Sequence, residues 1–148
     1  MFNGIIYNQG ILTKIVKTKK GCDIFLKSDI KIKKSKIGIS VSCDGVCLTL
    51  ISVKKNIIQF YLSNETLLRS NFKRKKVGDK INLELPLKNG QDISGHICQG
   101  HVDTVAMIKN VKNVEKSQVF EFALSQKFKT FLIEKASILI NGVSLTIS

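Results

Sequence analysis

Two of the 148 residues are histidines, and histidine is the side chain whose charge changes near neutral pH. His101 is the first candidate for moving a proton; packing and hydrogen bonding alone are the plainer reading of it. Cys47 and Thr49 fall on one face of an extended run, with Leu48 on the other. A thiol and a hydroxyl side by side could serve a bound molecule, although a buried Cys is ordinarily a small hydrophobe. Ser40 could hold or activate a water. Gly4 would let the backbone of a strand edge approach a ligand closely, or simply open a first strand. Glu65 and Thr66 join an acceptor carboxylate to a hydroxyl that both donates and accepts, or belong to an ordinary capped turn. His96, Cys98 and His101 are metal-ligand types, but strand alternation sends the first two to one face and His101 to the other. That argues against zinc, and no metal is expected.

The elements that must position these groups are strands. Ile39-Ser40-Val41-Ser42-Cys43 alternates apolar and small polar residues, and Val46-Cys47-Leu48-Thr49-Leu50-Ile51 follows after Asp44-Gly45. Asp-Gly between two such runs predicts a hairpin, because a type I′ turn needs positive φ at both central residues. Residues 11–16, 22–26, 57–62 and 80–87 read as further strands. Asn64 is placed to cap a short helix over residues 65–69. Short strands at regular spacing with one short helix predict a small closed barrel.

Composition narrows the setting. Hydrophobic residues make up 43%, which excludes a disordered chain. No apolar run approaches the roughly 20 residues of a membrane helix. The opening Met1-Phe2-Asn3-Gly4-Ile5-Ile6 has neither the basic lead nor the apolar core of a secretory signal, so a cytoplasmic protein without a membrane partner is expected. The four cysteines contain no C-x-x-C pair and read as free thiols. Net charge is +13, but the basic residues are scattered over separate turns. Nucleic-acid binding would want aromatic residues interleaved with basic ones on one strand face, and no such stripe is present; a solvated basic surface is the expectation.

An internal repeat organises the chain. Gly45-Val46-Cys47-Leu48-Thr49-Leu50 recurs 97 positions on as Gly142-Val143-Ser144-Leu145-Thr146-Ile147. Ser40-Val41 and Asp44 face Ser137-Ile138 and Asn141, and Gly4-Ile5-Ile6 faces Gly100-His101-Val102. Two units are expected: residues 1–96 as a complete barrel and residues 97–148 as an incomplete second copy, joined near Ser94-Gly95. The first unit continues past Thr49 through two more strands and the Glu65-Thr66 turn, material the second unit lacks. A sheet left open exposes unpaired backbone groups.

These segments resemble the riboflavin synthase family. Met1-Phe2-Asn3-Gly4-Ile5-Ile6 is similar to its M-F-T-G-I-[IV] opening, and Ser40-Val41 through Asp44-Gly45-Val46-Cys47-Leu48-Thr49 to its S-V-x-x-[ND]-G-x-C-L-T segment. Glu65-Thr66-Leu67 with Arg69 is similar to E-T-L-R, and Val77-Gly78-Asp79 with Ile81-Asn82-Leu83-Glu84 to V-G-D-x-V-N-[LV]-E. Gly95-His96-Ile97-Cys98-Gln99-Gly100-His101-Val102-Asp103 is similar to G-H-x-x-x-G-H-[VI]-D. The departures are Asn3 for Thr, Asp44 for Asn, Ser94 for Gly, and Asn71-Phe72 in place of a Thr-x-Leu-Gly stretch.

The resemblance implies an all-β fold, a small Greek-key closed barrel with a short helix plus an incomplete second copy. It implies dismutation of two 6,7-dimethyl-8-ribityllumazine molecules to riboflavin and 5-amino-6-(ribitylamino)uracil, without cofactor, in an assembly that is typically a homotrimer and is expected to be altered here. His101, Cys47 and Ser40 become the implied catalytic groups. Phe2, Gly4, Ile5, Ile6, Cys47, Leu48, Thr49, Tyr61, Leu62, Ser63, Asn64, Glu65, Thr66, Gly100, His101 and Val102 become the implied ligand contacts. Lys135, Ser144, Leu145 and Thr146 match the second ligand position. An incomplete second barrel predicts weak or no turnover by this chain alone, and a non-catalytic barrel that binds lumazine or flavin is the alternative.

Overall fold

The computed structural model describes residues 1–148, with Ser35 described in its backbone alone. The first half contains β1 (Asn8–Thr18), β2 (Gly21–Lys27), β3 (Ser40–Cys43), β4 (Val46–Lys54), β5 (Ile57–Ser63), α1 (Asn64–Arg69) and β6 (Lys80–Glu84). The strands close into an antiparallel barrel in the order β1-β2-β5-β4-β3-β6, with β6 returning to β1. Period-two alternation fills it: Ile58, Phe60 and Leu62 of β5 point inward and meet Ile24 and Leu26 of β2, Leu48 and Leu50 of β4, and Ile81 and Leu83 of β6. Each such side chain contributes about 1.5–3 kcal/mol on burial.

The local chemistry explains the boundaries. Asp44 and Gly45 hold φ of 47° and 83°, the pair of positive values that a type I′ turn requires. β6 ends at Glu84, three residues short of the expected 87, because Pro86 has no N–H to continue a ladder. The helix is capped one residue earlier than expected. Ser63, not Asn64, is the N-cap, and its Oγ accepts from the Thr66 N–H at 3.1 Å.

The second half contains β7 (Met107–Val114), β8 (Ser117–Ala123), β9 (Ser137–Ile140) and β10 (Val143–Thr146), paired as two separate hairpins, β7-β8 and β9-β10. The repeat extends to register. Ser40 opposes Thr49 and Ser42 opposes Cys47, as Ser137 opposes Thr146 and Leu139 opposes Ser144. The bulge between Leu12 and Lys14 returns between Ile108 and Asn110. In the barrel, β5 bridges β2 to β4 and β6 bridges β3 to β1. Among the described residues no strand bridges the second pair of hairpins in this way, and every residue of β7 is exposed.

Candidate functional site at a split in the barrel wall

β4 changes partners along its length. Val46, Cys47, Leu48 and Thr49 pair with β3, whereas pairing with β5 starts at Leu50 opposite Phe60 and is bulged before Ser52. On β5, Tyr61, Leu62 and Ser63 pair with β2 alone. The two strands therefore part at Leu50 and Phe60 and leave a wedge in the wall. Successive residues of an antiparallel strand direct their N–H and C=O groups to opposite neighbours. The Leu50 N–H donates to the Ile39 carbonyl at 2.9 Å, on the β3 side, so the main chain of Cys47 and Thr49 turns toward the wedge. The Asn64 N–H donates to the Lys20 carbonyl at 3.1 Å, on the β2 side, so the main chain of Tyr61 and Ser63 faces it from the opposite edge. α1 follows directly from β5 at that edge. There the Ser63 and Thr66 hydroxyl oxygens lie 3.0 Å apart.

A strand-like segment from the second half enters this region. The Cys47 N–H donates to the Gly100 carbonyl at 2.8 Å, and Val102 packs against the barrel core. A Cβ built on Gly100 would lie 2.8 Å from the Cys47 Cβ and 3.1 Å from the Phe2 ring, so only glycine fits. The exchange is reciprocal. The Ser144 N–H donates to the Gly4 carbonyl at 2.8 Å, and Ser144 and Gly4 are the repeat counterparts of Cys47 and Gly100. Each half thus takes up the opening segment of the other. Phe2 and Cys98 exchange two main-chain hydrogen bonds of 2.9 and 3.0 Å, and the His96 N–H donates to the Asn3 carbonyl at 3.1 Å.

Polar side chains complete the junction. The Glu84 carboxylate accepts from the Asn3 N–H at 2.7 Å and the Gly4 N–H at 3.1 Å. Burial raises its pKa, against the pull of those two amides. Burial first, and the Glu84 charge second, raise the Cys98 thiol. His96 Nδ1 sits 2.7 Å from Ser144 Oγ, a contact able to share or pass a proton. Asn82 Nδ2 donates to the Asn141 carbonyl at 3.0 Å, and Lys75 Nζ lies 2.7 Å from Asp44 Oδ2.

The expected site residues divide into groups. Phe2, Cys47 and Gly100 meet at the junction, as do Gly4 and Ser144. Ser40 opposes Thr49 across β3 and β4. Tyr61, Ser63, Asn64 and Thr66 form the other edge of the wedge, with the Tyr61 hydroxyl donating to the Lys20 carbonyl at 2.8 Å. Leu48 and Leu62 turn their side chains into the core. Ile5 and Ile6 are half-buried, Ile5 in a depression beside Asn3 and Glu84. His101 is exposed beside Gly100. Glu65 engages Arg69 one turn along α1. Lys135 projects from the surface with Glu134 3.6 Å away, and Leu145 and Thr146 are exposed on β10. The depression at Ile5 continues under Leu85 and Pro86, and a separate one lies beside Lys27 and Lys80.

Glu84, Asn3 and the His96–Ser144 contact were not among the expected site residues. Glu84 and His96 do lie inside the segments that resemble the family's motifs, Ile81-Asn82-Leu83-Glu84 and Gly95–Asp103, and that is the signal that could have marked them.

The family described as Lumazine binding domain matches residues 3–86 and 99–148. The chain belongs to the lumazine-binding domain family. Among relatives of this family, riboflavin synthase of Buchnera aphidicola subsp. Baizongia pistaciae is 32% identical over 149 residues, covering 99% of this chain and 70% of that protein. Riboflavin synthase of Chlamydia pneumoniae is 36% identical over 148 residues, covering 99% and 72%. The lumazine-binding fold is also that of LumP complexed with riboflavin, with a TM-score of 0.84 at 22% identity, over 99% of this chain and 79% of that one. LumP complexed with 6,7-dimethyl-8-(1'-D-ribityl) lumazine superposes with a TM-score of 0.80. The protein is therefore riboflavin-synthase-like, with a closed barrel of the fold that this family shares. Its two family matches flank residues 87–98, the segment that carries His96 and Cys98 across the junction.

Proposed function

We propose that residues 1–96 form a barrel that binds one 6,7-dimethyl-8-ribityllumazine, with riboflavin as a second ligand, in the wedge between β4 and β5. The observation that carries the reading is the parting of those strands at Leu50 and Phe60. It leaves the main-chain groups of Thr49, Tyr61 and Ser63 facing an opening instead of a neighbouring strand, beside the Cys47 N–H that the Gly100 carbonyl takes up. A planar ring edged with carbonyls and ring nitrogens can take them as a missing strand would. Ser63 and Thr66 offer hydroxyls to the ribityl chain, with Asn64 and Glu65 at its outer end. Gly100, His101 and Val102 with Phe2 would hold the ring from the junction side, and Gly4, Ile5 and Ile6 would serve the equivalent position beside Ser144 on β10. Both relatives' names and the ligands of the two LumP structures agree with this ligand class.

The dismutation requires a proton removed from the C7 methyl of one lumazine and a nucleophile added at C7 of another. In this proposal His101 moves the proton. Cys47, or a water held by Ser40, is the nucleophile. Stacking two held rings supplies much of the rate. The second ring needs a second site, for which Lys135, Ser144, Leu145 and Thr146 are the repeat counterparts in residues 97–148. Because the second pair of hairpins is not bridged into a barrel, binding without turnover is the second reading.

Fluorescence titration of the purified chain with 6,7-dimethyl-8-ribityllumazine tests the proposal. A saturable change with one ligand per chain is expected. No spectral change at high ligand concentration defeats it. Riboflavin formation at a rate typical of its relatives would defeat the binding-only reading.

A further inference from the structure

We propose that Glu84 is a positioning residue that locks the opening segment across the two halves and thereby shapes the ligand wedge. Three observations carry this. First, the buried Glu84 carboxylate takes two consecutive amides, Asn3 N–H and Gly4 N–H, one on each oxygen. A single carboxylate holding both N–H groups fixes the direction of residues 2–4 and not merely their presence. Second, those residues make no strand with the barrel they precede; their other main-chain bonds go to the segment 87–98 between the family matches and to the second half. Phe2 bonds Cys98, the Asn3 carbonyl accepts from His96, and the Gly4 carbonyl accepts from Ser144. Third, Glu84 is the last residue of β6, where Ser42 of β3 opposes it. The anchor is therefore built into the closed barrel, while what it holds belongs to the junction.

The consequence reaches the wedge through Phe2. Its buried ring lies against Gly100, whose carbonyl accepts from the Cys47 N–H. If Glu84 releases residues 3 and 4, Phe2 loses its placement, and Gly100 and the Cys47 edge lose their packing partner. This inference rests on the wedge being the lumazine site, and the test separates the two claims.

The experiment pairs amide hydrogen exchange with the lumazine titration, on the full chain and on Glu84→Gln. Glutamine keeps the volume and one acceptor but turns an NH2 donor toward the second amide, leaving two donors face to face. In the wild-type chain, Asn3 and Gly4 amides should be protected. In Glu84→Gln they should exchange rapidly, and so should His96 and Ser144, while amides of β2 and β5 keep their protection. Lumazine affinity should fall roughly tenfold or more, the expected scale for losing a charge-assisted hydrogen bond. Rapid exchange of Asn3 and Gly4 in the wild type overturns the anchor without any variant. Loss of protection in β2 and β5 as well makes Glu84 a fold residue and overturns the positioning role. Affinity unchanged within about twofold, despite released amides, overturns the link to the wedge. A wild-type chain that binds no lumazine defeats the ligand assignment instead, and the exchange data then decide the anchor alone.

Discussion

Gly45 and Gly142 meet back to back: a Cβ built on either would lie 2.9 Å from the amide nitrogen of the other. They are the same position in the two repeats, each the second residue of a type I′ turn, with φ of 83° and 82°. Gly142→Ala combines a left-handed non-glycine residue, worth about 1–2 kcal/mol, with overlap against the facing turn. The chain should lose at least about 1 kcal/mol of stability, and the His96 and Ser144 amides should lose protection. Denaturant melts and hydrogen exchange read both effects.

Ser63 caps α1 and sits beside the Thr66 hydroxyl. Ser63→Ala should cost about 1 kcal/mol from the lost cap. If the ribityl chain docks there, lumazine affinity should fall in the same variant. Thr66→Ala keeps the cap acceptor and removes only the hydroxyl, so it should weaken binding at near-normal stability. Equal affinity for Thr66→Ala and wild type would exclude this edge as the ribityl contact.

The cysteines should separate by reactivity. Cys43 is fully buried, and burial pushes its thiol well above the usual range. Its alkylation should proceed only as fast as the barrel opens, whereas the half-buried Cys47 and Cys98 should be labelled in the folded chain. Mass spectrometry of a timed iodoacetamide reaction distinguishes them. Saturating lumazine should slow labelling at Cys47 if the ring occupies the wedge.

Glu84 makes stability depend on pH in a defined direction. Its folded pKa is raised above the usual 4.5, mainly by burial. Below that usual value the group is protonated in both folded and unfolded chains and carries no penalty. As pH rises through the raised value, the folded state must hold a desolvated charge, and stability is lost. Denaturant midpoints should therefore rise as pH falls from 7 toward about 5. Glu84→Gln should remove that part of the slope.

The barrel was legible because its signals are local. Alternation marked β3 and β4, Asp44-Gly45 marked the hairpin, and the repeat found a second hairpin at Asn141-Gly142 with the same register. The misplaced cap shows the limit. Ser63 and Asn64 are both good N-cap residues, and the choice fell to where β5 stops pairing with Gly21. The extra three residues assigned to β6 were apolar enough for a strand, and Pro86 ended it.

Residue pattern by itself determined the strands, the turns, the repeat and the family likeness, because hydrophobic periodicity and turn chemistry act over a few residues. Only the tertiary structure decided that residues 2–4 cross to the other half, that Glu84 holds them, and that β4 and β5 part beside Cys47. Those depend on which backbone amides find partners far along the chain. An amide carries no mark in the sequence of the acceptor that three-dimensional closure will bring to it.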